Sequence, residues 1–167
     1  MKHWEARPVE VANLLNPAFC GEVLRHAIKR HNVIAERPFP YTLAFLVLPI
    51  VLHKRTRERI PTGTPKPLHV WLQEQQDVRV GLPKRAKQLV PITKESLAFL
   101  LQLKAITVDQ NAALSLPRIP RRRVEGQDSG EIADCYQKAE ILGRWFARRQ
   151  SCQHLHHVWS VSVRCKY

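Results

Sequence analysis

The sequence predicts a mainly α protein: a helical core carrying a winged-helix-like unit with a small β-hairpin as its wing. Three observations predict it. Apolar residues recur at helical spacing before and after one nearly uninterrupted apolar run, residues 39–53. Proline-rich breaks at residues 35–40 and 60–67 separate the helical stretches. Two short β-prone stretches, Ile106-Thr107-Val108 and Ala113-Leu114-Ser115-Leu116, flank a turn at Asp109-Gln110-Asn111 and read as a hairpin.

Each element has its own warrant. Residues 8–15 read as a short helix with Val11, Leu14 and Leu15 on one side. Asn16-Pro17 then opens a second, because Asn caps well and proline fits the first helical turn. Phe19, Cys20, Val23, Leu24, Ala27 and Ile28 form its apolar stripe, with Glu22, Arg25, Lys29 and Arg30 opposite. The run over residues 39–53 is apolar on all sides, the mark of a central buried helix. It falls short of the roughly twenty apolar residues that cross a bilayer. Pro49 is expected to kink or end it, since proline removes a helical hydrogen bond.

The winged-helix-like unit follows the connector. Leu68, Trp71 and Leu72 mark a first short helix. Residues 83–90 give a second, with Ala86, Leu89 and Val90 inward and Lys84, Arg85 and Lys87 outward. Thr93 is expected to cap a third, with Glu95 in its first turn where the helix dipole favours an acid. In that third helix Leu97, Leu100 and Leu101 face inward, while Phe99 and Leu103 lie on another face. A recognition helix must present polar side chains to base edges, and only Lys94, Gln102 and Lys104 remain for that. Two apolar faces suit a protein partner, so Phe99 and Leu103 are the candidate partner contact.

A basic linker follows, centred on Arg121, Arg122 and Arg123. Asp128-Ser129-Gly130-Glu131 resembles a capping box. It opens a helix to about residue 149 with Ile132, Cys135, Tyr136, Ala139, Leu142 and Phe146 as its buried stripe. Arg144, Arg148 and Arg149 make its end basic. The resulting division is 1–60, an N-terminal helical core; 61–117, the winged-helix-like unit; 118–129, the basic linker; 130–150, the C-terminal helix; and 151–167, an atypical tail. Cys152, His156 and Cys165 in that tail invite a zinc reading, but their spacing matches no zinc knuckle or finger, so no metal is assigned.

Lys and Arg total 27 against 14 Asp and Glu, a formal charge of +13 over 167 residues. Such an excess suits nucleic acid, an acidic protein surface or anionic lipid. Lys84, Arg85, Lys87, Arg121, Arg122, Arg123, Arg144, Arg148 and Arg149 are the candidate contacts to DNA or to an acidic surface. The N-terminal residues lack the apolar stretch of a signal peptide and the four cysteines form no CxxC pair. A cytoplasmic protein with reduced thiols and no membrane contact is expected. No phosphate loop, HExxH or GxSxG motif appears. Cys20 falls in an apolar stripe and reads as structural. The expectation is a protein without catalysis or cofactor.

The stretches Asn16-Pro17-Ala18-Phe19-Cys20, residues 41–53, His69-Val70-Trp71-Leu72-Gln73 and residues 139–146 together resemble the middle component of three-component ABC systems. The resemblance covers about residues 9–149. It implies an accessory subunit of a bacterial conflict module of the Lamassu anti-phage kind. Its partners would be an ABC ATPase of the structural-maintenance-of-chromosomes type, which senses DNA, and an effector subunit, often a nuclease. It implies no catalytic residues. The tail departs from the resemblance: codons for Cys152-Gln153-His154-Leu155-His156-His157 read one base later would allow Ala-Asn-Ile-Tyr-Thr-Met, as in a frameshifted end. Two further readings stand beside the adaptor, a winged-helix DNA-binding regulator and, well below it, a small enzyme.

Overall fold

The computed structural model describes residues 15–62, 67–117 and 130–148. The expected helix over residues 8–15, the expected capping residue Asp128, the Arg121-Arg122-Arg123 run, Arg149 and the tail with its Cys/His residues lie outside these, save for Leu15.

Helix α1, Pro17–Ala35, starts as its sequence requires: Asn16 Oδ1 accepts the Ala18 N–H at 2.8 Å and Pro17 occupies the first turn. The stripe from Cys20 to Ile28 is buried, with Phe19 packed partly against the core. The helix ends at Glu36, whose φ of 51° is left-handed.

The apolar run divides where a single helix was expected. Phe39–Pro40 is a strand, β1, and only Tyr41–Val51 is helix, α2. Two prolines, Pro38 and Pro40, bias the residues before them to extended backbone, which favours a strand over a first helical turn. The helix ends near Pro49, as expected, two residues past it, and Leu52 N–H still donates to Leu48 O at 2.9 Å. The run is central as its composition demands: Leu43, Ala44, Val47, Leu48, Ile50 and Val51 are buried. A short helix α3, Lys54–Glu58, follows, and α4, Leu68–Glu74, buries Leu68, Trp71 and Leu72 as its pattern predicts.

The largest correction concerns the helices predicted over residues 83–90 and from Thr93 onward. They are one helix, α5, Gln76–Gln102, with Pro83 and Pro91 inside it. Thr93 caps nothing; its hydroxyl donates to Leu89 O at 2.9 Å within the helix, and Ser96 does the same to Ile92 O at 2.8 Å. The physical reason is a continuous inner face: Val78, Leu82, Ala86, Thr93, Ser96, Leu97 and Leu100 are buried across both prolines. Tertiary burial outweighs the local penalty of two missing N–H donors. Without a turn near residue 91, the helix-turn-helix part of a winged helix is absent from the described residues.

The hairpin forms where predicted, as β2, Thr107–Val108, and β3, Ala113–Ser115. Thr107 pairs with Ser115 and Val108 with Leu114. Asp109 Oδ1 accepts the N–H groups of Asn111 and Ala113, both at 2.8 Å, and fixes the turn. It is no free wing, because β3 also pairs antiparallel with β1, giving a three-stranded sheet of order β1-β3-β2. Leu114 is buried beneath it.

Helix α6, Glu131–Ala147, takes Gly130 as its N-cap with no side-chain cap bond. Glu131 reaches forward to Arg57 and so does not close a capping box. Cys135, Ala139, Leu142 and Phe146 are buried and Tyr136 is partly so, but Ile132 is 45% exposed, against expectation. At the first turn α6 faces the charged end of α3, where an apolar side chain finds no cover. Ile141 and Trp145 are buried too, because α6 packs on two sides; Trp145 meets Trp71 with ring centroids 5.2 Å apart. Tyr136 stacks on His26 and Gly143 lies against Ala27, so α1 and α6 run in the same direction. One apolar cluster extends from Cys20 through α2, α4 and α5 to Phe146.

Candidate interaction surface

Among the described residues, no group of three or more His, Cys, Asp or Glu is placed to hold a metal ion. A cleft of about 400 Å³ opens between the entry to α2 and the hairpin turn, lined by Arg37, Tyr41, Thr42, Asp109 and Asn111 among others. Its only carboxylate, Asp109, is engaged by the two turn amides. Cys20 is fully buried, and burial pushes its thiol up to about 12 despite the opposing effect of the nearby Ser96 side chain. Burial raises Cys135 as well, against the pull of Arg57. Neither thiol is poised as a thiolate nucleophile at neutral pH.

The cations divide into internal and external sets. Arg57 is 3% exposed. It donates to Asp134 Oδ2 at 2.7 Å, to Val51 O at 3.0 Å and to Glu131 Oε1. Burial opposes its charge, but the carboxylates of Glu131 and Asp134 win and raise its pKa above the usual guanidinium value. Lys138, 5% exposed, donates to Ile60 O at 2.6 Å. Both residues tie α6 to the segment leaving α2, and neither was legible in the sequence as a structural cation. The only signal was the position of Lys138, flanked by Cys135, Ala139 and Leu142 of the buried stripe. A second contact is a cluster across α1 and α6: His26 Nδ1 donates to Glu140 Oε1 at 2.9 Å, and the ring stacks on Tyr136 with centroids 4.7 Å apart.

Among the described residues, the predicted cationic contacts Lys84, Arg85, Lys87, Arg144 and Arg148 do not all share one exposed surface. Lys84 and Lys87 are exposed on α5. Arg85 turns inward: its guanidinium lies over Gly81, NH2 donates to Thr56 Oγ1 at 3.3 Å, and burial lowers its pKa. Arg144 is half-buried, with its Nε enclosed, and Arg148 is exposed at the end of α6. Phe99 is half-buried; Leu103, the C-cap of α5, is 48% exposed. Leu101, expected inside, is 40% exposed beside it. With 3.6 residues per turn, Leu101 stands about 100° from Leu100 and leaves the core face. The apolar end of α5 is therefore a surface feature, made of Leu101 and Leu103 with Phe99 behind them.

The chain belongs to the ABC-three component (ABC-3C) system Middle Component 3 family, whose pattern matches residues 4–163. The match runs past residues 152–157, so the string that departs from the resemblance lies inside the matched stretch. Comparison with curated proteins and with solved structures gave no match. No described helix is long and apolar enough to cross a membrane.

Proposed function

We propose that this middle component is a non-catalytic adaptor of a Lamassu-type defence complex in the cytoplasm. It joins an ABC ATPase of the structural-maintenance-of-chromosomes type to an effector subunit, a nuclease in many such systems. The observation that carries the reading is the family match over residues 4–163, which makes the chain one component of a multi-component system. The exposed apolar end of α5 supports it, because large apolar groups left in solvent at one place mark protein contacts. Phe99 and Leu103 make the partner contact, with Leu101 beside them. The competing regulator needs a separate recognition helix after a turn, whereas α5 runs unbroken through that position. DNA reaches the complex through the ATPase, with Arg121, Arg122 and Arg123 available to touch it.

Co-expression of the native operon tests the reading. The tagged chain is expected to bring down the ATPase and the effector. The double variant Phe99→Asp, Leu103→Asp is expected to lose at least one of them while keeping its helical circular dichroism. The isolated chain should hold duplex DNA weakly, without preference for sequence. Tight binding to one DNA sequence, with the steep salt slope of many phosphate contacts, would replace the adaptor with the regulator.

A further inference from the structure

The outward side of α5 carries a pattern independent of its apolar end. Val80, Lys84, Lys87, Pro91, Lys94, Ala98 and Leu101 are all exposed. Their separations alternate four and three residues over three heptads, so they form one line along the helix, about 30 Å long at roughly 1.5 Å per residue. The line is opposite the buried face made by Leu82, Ala86, Thr93 and Leu100. Its composition is ordered: an apolar start at Val80, 77% exposed, a basic middle, and an apolar finish at Ala98 and Leu101. Among the described residues Lys84, Lys87 and Lys94 make no ion pair or side-chain hydrogen bond. The acids of α5 do not neutralise them: Asp77 is paired with Arg59, and Glu95 stands to the side, half-buried.

We infer that this ridge is the docking seam for an acidic amphipathic helix of a partner subunit. Three arguments choose that occupant. A seam spaced four and three over six turns is the geometry by which one helix packs lengthwise on another. Unpaired lysines in its middle call for carboxylates opposite, and the apolar residues at both ends call for apolar ones. The outlying parts of this chain offer no acidic face: residues 149–167 contain no Asp or Glu, residues 118–129 carry four Arg against two acids, and in residues 1–14 Glu5 and Glu10 are balanced by Lys2 and Arg7. A second copy, at +13, repels. Duplex DNA would satisfy the lysines but leaves Val80, Ala98 and Leu101 against phosphates, with no apolar surface to cover them. The inference rests on the adaptor reading and names the chemistry of one of its contacts.

The test uses the complex purified from the native operon. A water-soluble carbodiimide couples a lysine Nζ to a carboxylate it touches, forming an amide with loss of water. Cross-links are expected from Lys84, Lys87 and Lys94 to Asp or Glu residues spaced three, four or seven apart in one helix of a partner. The variant Lys84→Glu, Lys87→Glu, Lys94→Glu is expected to weaken binding of that subunit roughly tenfold or more, about 1.4 kcal/mol per tenfold. A control with the same change of charge elsewhere, Lys29→Glu, Lys54→Glu, Arg55→Glu, is expected to keep it. Retention of every subunit by the ridge variant, or equal loss in both variants, would overturn the inference and leave the adaptor standing. So would a ridge variant that keeps its subunits but loses duplex DNA, which assigns the ridge to nucleic acid. A wild-type chain that brings down no subunit refutes the adaptor reading and the seam together.

Discussion

Gly143 brings the backbone of α6 close against α1. A Cβ there would stand 2.3 Å from Ala27 O and 3.1 Å from both Arg30 Cβ and His31 N. Two of those three atoms are backbone, so no side chain can swing away to make room. Gly143→Ala gains helix propensity of about 1 kcal/mol and forces the helices apart. The expected net result is a loss of about 2 kcal/mol, read as a lower urea midpoint with an unchanged slope. His31, one turn further along the same contact, is fully buried and sits edge-on to Phe39 with ring centroids 5.0 Å apart. Burial is the main cause that lowers its pKa from the ordinary 6.5; the long 3.4 Å contact to Asn32 only partly offsets it. The unfolded chain therefore binds a proton that the folded chain refuses. Stability is complete above pH 6.5 and falls as the pH drops below it towards the folded value. His53 is lowered in the same sense, chiefly by burial, and contributes to the same slope. His31→Leu is expected to flatten the acid limb of a plot of stability against pH, leaving the part that His53 supplies. An unchanged limb would show that His31 titrates alike in both states.

At the scale of elements, α5 shows where pattern reading stops. Pro91 reads as a break, and Thr93 two residues on has the chemistry of a cap, so local signals agree on two helices. Both signals are overruled by an inner face that passes through the proline in phase, with Leu89 and Ile92 partly covered on either side of it. Such phase is visible in sequence only once one commits to a single helix. The proline still carries its local cost: Lys87 O has no N–H to accept four residues on. Pro91 is exposed, so Pro91→Ala can restore that bond without disturbing the core. It is expected to stabilise the fold by about 2 kcal/mol, the helix-interior penalty of proline less the entropy that proline removes from the unfolded chain. Thermal unfolding at pH 7 checks this, and no gain would mean that the helix bends at that point to suit its packing. The hairpin and α1 were legible for the opposite reason. Asn16-Pro17 and the acceptor Asp109 act within four residues, where tertiary context has little to override.

Across the whole molecule, the helical class and the central place of the apolar run follow from composition and period. The third strand does not. Phe39–Pro40 pairs with residues 113–114 across more than seventy positions, and nothing local announces a partner that distant. The candidate surface was legible in part. Lys84 and Lys87 read as outward and are; Leu101 read as inward and is not, because a stripe assigned from a helix start at Thr93 lacks the phase of the longer helix. Arg57 and Lys138 were missed among 27 cations, since a buried cation differs from an exposed one only through acceptors far away in sequence. These two also have a mechanical consequence. Arg57, on α3, joins the Val51 carbonyl at the end of α2 to the acids of α6, and Lys138 of α6 holds the Ile60 carbonyl, so the segment leaving α2 is tied to α6 at two points. A pull on the last helix is then passed through these side chains to the end of the apolar α2 as well as through the backbone.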